Sequence, residues 1–151
     1  MIVGMTGTIS LEQQVRWLVD RAAIAELLAR YAQCIDGRDW VGLQGTYAAD
    51  GVMEHGGAAV GRDRVPELSE RILEGVATSH HLVGDPSIEI DGDRARTRSH
   101  YFATHVAEGG AIIRQGGGWY DCTLRRTDEG WRFTRVTATS AWRAGDPLRS
   151  H

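Results

Sequence analysis

The fold is decided at Thr78-Ser79-His80-His81-Leu82-Val83-Gly84-Asp85, which leads into Ile88-Glu89-Ile90-Asp91-Gly92-Asp93. Here the hydrophobic spacing changes from a helical period to the alternation of a β-strand, and the alternation ends in a tight turn. Two adjacent histidines stand at the start of this strand. An imidazole on a strand of a small domain is either buried structure or a proton-transfer group. We expect the second role for His81, with Asp36 as its partner.

Before this segment, the chain has the periodicity of amphipathic helices. Ser10 and Gln13 have the spacing of a capping box and predict the start of a short helix, and Asp20 offers a second N-cap. The helix after Asp20 is predicted to end near Gly37. Its apolar positions recur at helical spacing: Ile24, Leu27, Leu28, Tyr31 and Ile35.

Two further helices are predicted before the strands begin. Asp39 is expected to cap a shorter helix that carries Trp40, Leu43 and Tyr47. Asp50-Gly51 is then a turn and Val52 to His55 a short strand. The last predicted helix has Pro66 in its first turn, where proline is tolerated. Its apolar positions are Val65, Leu68, Ile72 and Val76.

The second half of the chain predicts an antiparallel meander of four strands. Residues 79–91 and 94–106 are joined at Asp91-Gly92-Asp93, and residues 112–127 and 131–142 form the next pair. Gly116-Gly117-Gly118 is expected to be a bulge or a point of close packing. Helices followed by strands indicate an α+β fold, with the apolar face of the sheet over the helices.

Composition limits the classes of function. The 151 residues have the length of one domain, and a net charge of -3 gives no footprint for nucleic acid or an anionic membrane. No apolar run approaches the ~18 residues of a membrane span. We therefore predict a cytoplasmic protein with no nucleic-acid or membrane partner. Cys34 and Cys122 have no metal-like spacing and are expected to be reduced thiols.

Strand 94–106 predicts which of its side chains face a cavity. One face carries small or uncharged residues as far as His105, which suits a cavity lining: Ala95, Thr97, Ser99, Tyr101, Ala103 and His105. The arginine-rich opposite face suits solvent or a subunit contact. His105 is therefore a cavity candidate, whereas His100 is not. By the same alternation His80 points away from His81.

Asp36 is the candidate partner for His81. It falls at the edge of the buried helix stripe, near the C-terminal end of the helix. The helix dipole disfavours a carboxylate there, and burial would raise its pKa. An imidazole that receives the carboxylate resolves this conflict, and an Asp–His pair makes a general base near neutral pH. The alternative is that Asp36 only ends the helix with Gly37 and Arg38.

Several segments together resemble a SnoaL-like protein of the nuclear-transport-factor-2-like superfamily. The segments are Asp20-Arg-Ala-Ala-Ile24, Tyr31-Ala-Gln-Cys-Ile-Asp36-Gly-Arg-Asp39-Trp40, His81-Leu-Val-Gly-Asp85, Ile90-Asp-Gly-Asp93 and Gly118-Trp-Tyr-Asp-Cys122 followed by Gly130-Trp131. The resemblance covers residues 10–143. It implies a conical α+β barrel, in which a curved antiparallel or mixed sheet wraps around N-terminal helices and encloses one deep pocket. Residues 1–9 are then a flexible N-terminus and residues 144–151 a tail.

The resemblance also implies site residues. Within the superfamily the chain is most similar to scytalone dehydratase, the bile-acid dehydratase and the hexachlorocyclohexane dehydrochlorinase, which use a helix aspartate and a strand histidine. Asp36 and His81 match that pair. His105 matches a second pocket histidine of scytalone dehydratase, and Tyr31 a tyrosine of the bile-acid enzyme. Scytalone dehydratase has tyrosines where this chain has Ile35 and His55, so the same substrate is not implied.

The predicted site therefore has a catalytic and a substrate-binding part. The catalytic candidates are Asp36, His81, His105 and Tyr31. The substrate-binding candidates are His55, Tyr47, Tyr101, Trp119 and Trp142. For His55 and His105 the alternative is packing, and for Tyr31 it is a place in the core. For Trp119 the alternative is the sheet core or an interface, and for Trp142 a contact between subunits.

Three classes of function follow. The first is a cofactor-independent dehydratase-like lyase or isomerase that acts on a small apolar ring or a polyketide- or steroid-like substrate. The second is a non-catalytic small-molecule-binding or scaffold module of the same fold. The third is a metal site formed by Asp36 with His55, His81 and His105, against which the resemblance argues. The resemblance further implies a homodimer or homotrimer.

Overall fold

The computed structural model describes residues 8–145, in which three α-helices precede and flank one seven-stranded mixed sheet. The helices are α1 (Leu11–Asp36), α2 (Trp40–Gly45) and α3 (Val65–Ile72). The strands are β1 (Tyr47–His55), β2 (Ala58–Gly61), β3 (Thr78–Val83), β4 (Ser87–Asp91), β5 (Arg94–Val106), β6 (Ile112–Thr127) and β7 (Gly130–Gly145). The predicted α+β class and the curved mixed sheet are confirmed.

Helix α1 corrects the prediction of two helices. The capping box is present, because Ser10 Oγ accepts from the Gln13 N–H and Gln13 Oε1 accepts from the Ser10 N–H. The helix then runs through Asp20 without a break, since no glycine or proline interrupts residues 11–36. Asp20 is buried and receives hydrogen bonds from Arg126 and Trp131, so its carboxylate is not an N-cap.

Helix α2 is capped as predicted but is shorter than expected. The Asp39 carboxylate accepts from the Gly42 N–H at 2.8 Å. Tyr47 begins β1 and is not part of the helix. The predicted turn at Asp50-Gly51 is an irregularity within β1, where the register on β7 shifts between Tyr47 and Val52. A side chain at position 51 would contact backbone oxygens at 2.9 Å, which explains the glycine.

The sheet has the order β2-β1-β7-β6-β5-β3, with β4 also paired to β5. All neighbours are antiparallel except β1 and β7, which are parallel, so the predicted meander is extended at one edge. The predicted strand 79–91 is two strands, because it is interrupted at residues 84–86 before β4 begins. The turn at Gly92 forms as expected with φ of 57°.

The glycine run 116–118 is a bulge, as predicted. The register between β6 and β7 shifts between Gly117 and Gly118. A Cβ on Gly118 would overlap the backbone oxygen of Thr139, so only glycine permits this approach.

The core lies between the inner face of the sheet and the helices. Ile24 from α1 and Phe133 from β7 are fully buried there. The outer face of the sheet exposes Leu82, Phe102 and Trp142. The homodimer or homotrimer expected from the family resemblance stays a prediction. No helix within residues 8–145 has the length and hydropathy to cross a membrane.

The predicted chain ends fall mainly outside the described residues. Of the predicted N-terminus 1–9, residues 1–7 lie outside them, as do residues 146–151 of the predicted tail. Residues 144 and 145 belong to β7, so the strand extends beyond the predicted end of the domain.

Candidate active site

The end of α1 and the start of β3 bring Asp36 and His81 together. Asp36 is the last residue of α1, and His81 is the fourth residue of β3. Asp36 Oδ1 lies 2.7 Å from His81 Nδ1, and Asp36 Oδ2 accepts from the His81 backbone N–H at 2.8 Å. Only 9% of the His81 side chain and 21% of the Asp36 side chain are exposed. The ring is therefore held by its carboxylate in a nearly dry position.

Ser79 and Arg38 extend this pair into a hydrogen-bond network. Ser79 Oγ donates to Asp36 Oδ1 at 2.9 Å and accepts from Arg38 Nη1 at 2.8 Å. The Arg38 guanidinium also donates to the carbonyl oxygens of Ile35 and Val76. Arg38 has a positive φ of 56°, a conformation in which a residue with a side chain is uncommon. This network fixes where the carboxylate points.

The hydrogen bonds of this network outweigh the effect of burial on the pKa of Asp36. Burial raises the pKa of the carboxyl group, but hydrogen bonds from the His81 ring, the His81 backbone N–H and Ser79 outweigh it. The pKa of Asp36 is therefore lowered, and the carboxylate is ionised at neutral pH. Burial was expected to raise the pKa unless an imidazole received the carboxylate, and His81 does so here, together with Ser79.

His81 lines a cavity of about 80 Å³ between α1, α3 and the inner face of the sheet. Its floor is apolar and its solvent end is basic. The apolar and aromatic lining is formed by Tyr31, Ile35, Met53, Ile72, Leu73, Tyr101, Ala103 and Tyr120. The polar lining is formed by His55, Ser69, His81, His105, Arg114, Gln115, Ser140 and Arg143. Ser140 and Arg143 are exposed, so the cavity opens to water there.

Two further predicted histidines face this cavity. His105 is buried, and its ring meets the His81 ring edge-on at a centroid distance of 5.6 Å. Burial, with the charge of Arg114 next, lowers the pKa of His105 to about 4. Its Nδ1 has no hydrogen-bond partner within residues 8–145. Burial also lowers the pKa of His55, with Arg143 and Arg114 adding to the effect.

Of the predicted tyrosines, two reach the cavity and one does not. Tyr31 and Tyr101 line it, and Tyr101 stacks on Tyr120 at a centroid distance of 4.7 Å. Burial raises the pKa of Tyr31 well above its usual range, so the phenol is neutral. Tyr47 is buried in the core beside Phe133 and is not part of the cavity lining.

The predicted tryptophans lie on the outer face of the sheet. Trp119 pairs with His100 across β5 and β6, opposite the face that carries Tyr120. Trp142 contacts Phe102 at a ring distance of 5.8 Å, and 46% of it is exposed. Neither side chain lines the cavity, because strand alternation turns both away from it.

The side chains of the proposed metal site do not form a group that could hold a metal ion. Within residues 8–145, no group of three or more histidine, cysteine, aspartate or glutamate side chains could hold a metal ion. Both carboxylate oxygens of Asp36 are engaged in hydrogen bonds with Ser79 and His81.

Four important residues were not assigned to the site from the sequence. They are Ser79 and Arg38 of the network, and Arg114 and Arg143 of the cavity lining. Alternation along the strand marked Ser79 as facing the same way as His81, which was the available signal. Nothing in the sequence joins Arg114 to Arg143, because their proximity depends on the register of β6 and β7.

Solved structures share this architecture. An NTF2-like protein with a cystatin-like fold from Novosphingobium aromaticivorans is 30% identical, with a TM-score of 0.72 over 89% of this chain and 90% of that one. A protein of the same bacterium, provisionally named a scytalone dehydratase, has a TM-score of 0.81 at 20% identity, covering 91% and 94%. A type 2 hexachlorocyclohexane dehydrochlorinase has a TM-score of 0.79 at 17% identity, covering 91% and 96%. At such identities the last two show the fold alone.

Sequence comparison identifies the family. An uncharacterized protein of Mycobacterium bovis is 29% identical over 127 residues, which cover 82% of this chain and 86% of that protein. Residues 16–137 match the SnoaL-like domain, and Asp36, Ser79 and His81 lie within that range. The chain therefore belongs to the SnoaL-like domain family and has the NTF2-like fold.

Proposed function

We propose that the protein is a cofactor-independent lyase of the dehydratase type, or an isomerase, that acts on a small apolar ring or a polyketide- or steroid-like substrate. One observation carries the proposal. The Asp36 carboxylate lies 2.7 Å from Nδ1 of a histidine that lines an apolar cavity. An ionised carboxylate in that position supports a general base at the other ring nitrogen.

The first step is removal of a proton from carbon. Nδ1 of His81 is engaged by Asp36, so Nε2 is the nitrogen left to face a substrate. Nε2 takes the proton from the carbon next to a carbonyl group, and the electron pair of the broken C–H bond remains with the substrate. Asp36 holds the tautomer with the proton on Nδ1 and then stabilises the imidazolium.

The second step separates the two reactions. In a lyase the electron pair forms a carbon–carbon double bond, the bond to the hydroxyl group breaks, and the hydroxyl leaves as water with the proton that His81 Nε2 has taken. In an isomerase the proton returns from His81 to another carbon. His105 and Tyr31 are both neutral groups of the lining and serve as donors to the hydroxyl or the carbonyl oxygen. A neutral imidazole polarises a carbonyl in this way in other enzymes.

The size of the cavity limits how a ring enters. Its volume of about 80 Å³ is half of the roughly 150 Å³ that holds benzene in an engineered protein cavity. A ring therefore extends into the open end near Ser140 and Arg143, or the lining side chains move. For a substrate of several fused rings we expect only the reacting part to enter.

The test is turnover of a substrate panel by matched variants. The panel contains β-hydroxyketones and β,γ-unsaturated ketones on one or two rings, and formation of the conjugated enone is followed by absorbance. His81→Ala and Asp36→Asn are each expected to lower the rate about 10²- to 10⁴-fold, because base and orienting carboxylate act as one unit. His80→Ala is the control, since His80 is exposed on the opposite face.

The proposal fails if His81→Ala or Asp36→Asn retains the wild-type rate while folded. Absence of a carboxylate within reach of His81 would have favoured the binding-module alternative, and the 2.7 Å contact instead supports acid/base chemistry. Saturable binding of panel members without any product would favour that alternative.

A further inference from the structure

Apart from tyrosines, the ionisable side chains of the cavity lining are histidines and arginines, with no acidic residue among the described residues that form it. Arg114 lies opposite His105 in the pairing of β5 and β6, and Arg143 lies opposite Gly116 in the pairing of β6 and β7. Both arginines line the cavity at the end that opens to water, beside His55 and His105. The lining has no aspartate or glutamate within the described residues. Two arginines thus line one small cavity in which no carboxylate of residues 8–145 balances them.

These two charges have no carboxylate partner within residues 8–145, in contrast to some arginines on the outer face of the sheet. Arg98 and Arg125 on the outer face pair with Asp121 and Asp50 at 2.6 and 2.8 Å. Within residues 8–145, Arg114 forms no ion pair or side-chain hydrogen bond, and Arg143 donates only to Ser140 Oγ at 3.3 Å. Arg114 is half-buried, and burial together with Arg143 lowers its pKa.

Such an arrangement is unfavourable without an anion. Two like charges repel each other, and a half-buried guanidinium gives up water contacts that no carboxylate replaces in this part of the chain. His105 adds an unsatisfied Nδ1 in the same lining, with 7% of the residue exposed. The polar groups at this end are therefore available for a ligand.

We infer that the substrate is an organic acid whose carboxylate binds Arg114 and Arg143, while its apolar body lies against Tyr31, Tyr101 and Tyr120. The inference rests on the proposed function, since it orients the reacting carbon towards His81. A planar carboxylate matches the fork of a guanidinium, which favours it over a point-like anion.

The overall charge of the protein argues for a local site. At a net charge of -3, the chain as a whole repels anions. Binding of an organic anion would therefore reflect the two cavity arginines and not a general attraction. The affinity should also decrease as salt is added, because the open end is in contact with water.

The experiment compares benzoate, benzamide and inorganic phosphate by NMR titration of the uniformly ¹⁵N-labelled protein. Benzoate and benzamide have similar shapes and differ in charge. We expect benzoate to bind about 10- to 100-fold more tightly than benzamide, because a carboxylate forms charge-assisted hydrogen bonds with guanidinium groups and a neutral amide does not. Phosphate should compete weakly. Arg114→Gln and Arg143→Gln should each weaken benzoate about tenfold or more and leave benzamide unchanged.

Two controls separate this inference from the proposed function. Arg98→Gln removes an outer-face arginine and should not change benzoate binding. His81→Ala should retain benzoate binding even though it is expected to lose turnover, so each idea can fail alone. Arg143 is exposed, so Arg143→Gln remains informative if Arg114→Gln does not fold.

Three results would overturn the inference. They are equal affinity for benzoate and benzamide, absence of saturable benzoate binding, and unchanged benzoate affinity in a folded Arg114→Gln or Arg143→Gln protein. Phosphate that binds as tightly as benzoate would overturn the assignment to a carboxylic acid.

Discussion

At the scale of single residues, Asp36 illustrates what the sequence could and could not predict. Its position at the end of the helix and its pairing with His81 were predicted, and the 2.7 Å contact agrees with them. The further donors to the carboxylate, the His81 backbone N–H and Ser79, were not predicted, because Ser79 is 43 residues away and donates to it only after β3 docks on α1. A charge balance of this kind depends on tertiary contacts that no local pattern contains.

We predict that Ser79→Ala raises the pKa of Asp36 towards that of an ordinary aspartate. The substitution removes a hydrogen bond that favours the ionised carboxylate, while burial continues to favour the neutral form. The pKa is measured by ¹³C NMR of the aspartate carboxyl carbons. Ser79→Thr keeps the hydroxyl group and should retain the lowered value. An unchanged pKa in Ser79→Ala would mean that His81 alone holds the carboxylate.

At the scale of elements, the unexpected feature is the clamp between α1 and the sheet. Asp20 accepts from both terminal nitrogens of Arg126 at 2.7 and 2.8 Å and from Trp131 Nε1 at 3.1 Å. Arg126 also pairs with Asp93 and stacks over the Trp131 ring at 4.6 Å. The sequence identified Asp20 only as a cap, because a residue 106 positions away supplies its partner.

We predict that Asp20→Ala lowers the free energy of unfolding by about 1–3 kcal/mol. It leaves the Trp131 N–H without its acceptor and removes half of a bidentate pair, although Arg126 remains partly in water. Urea unfolding followed by circular dichroism measures the effect. Asp50→Ala is the matched control, since its pair with Arg125 is exposed to solvent and contributes little to stability. Equal losses in both variants would contradict the clamp.

The secondary structure was predicted best where the hydrophobic alternation is long. Strands 94–106 and 112–127 match β5 and β6. Burial alternates between successive residues over most of β5 and from Gly118 to Leu124 in β6. The predictions were wrong at short or interrupted segments. The break between β3 and β4 lies at Gly84-Asp85-Pro86, and the prediction of one strand from alternation did not take account of it. The parallel pairing of β1 with β7 was not predicted, because it joins segments about 80 residues apart.

At the scale of the whole molecule, basic groups concentrate at one end of the interior. His55, His81, His105, Arg114 and Arg143 come from five different strands and meet around one cavity. Alternation predicted that His105 faces inward, but the convergence of the two arginines on it required the register of three strands. The fold therefore gathers positive charge at a place that the overall charge of -3 conceals.

This convergence predicts that global stability decreases on mild acidification. The pKa of His105 is about 4 in the folded protein, because it is buried and faces Arg114, His81 and Arg38, whereas an unfolded histidine titrates near 6.5. Between these values the unfolded chain binds the proton and the folded protein does not, so stability decreases as the pH decreases through this range. From pH 8 to pH 5, His105 alone should account for about 2 kcal/mol.

Urea unfolding at pH 8 and pH 5 tests this loss of stability, because most carboxylates remain ionised over that interval. The lowered pKa of His55 adds to the loss in the same direction. His105→Gln should remove much of the pH dependence, whereas the exposed His80→Gln should keep it. Arg114→Gln should reduce it, since removing that charge raises the pKa of His105 in the folded state. An equal pH dependence in wild type and His105→Gln would show that the ring is protonated without hindrance in the folded protein.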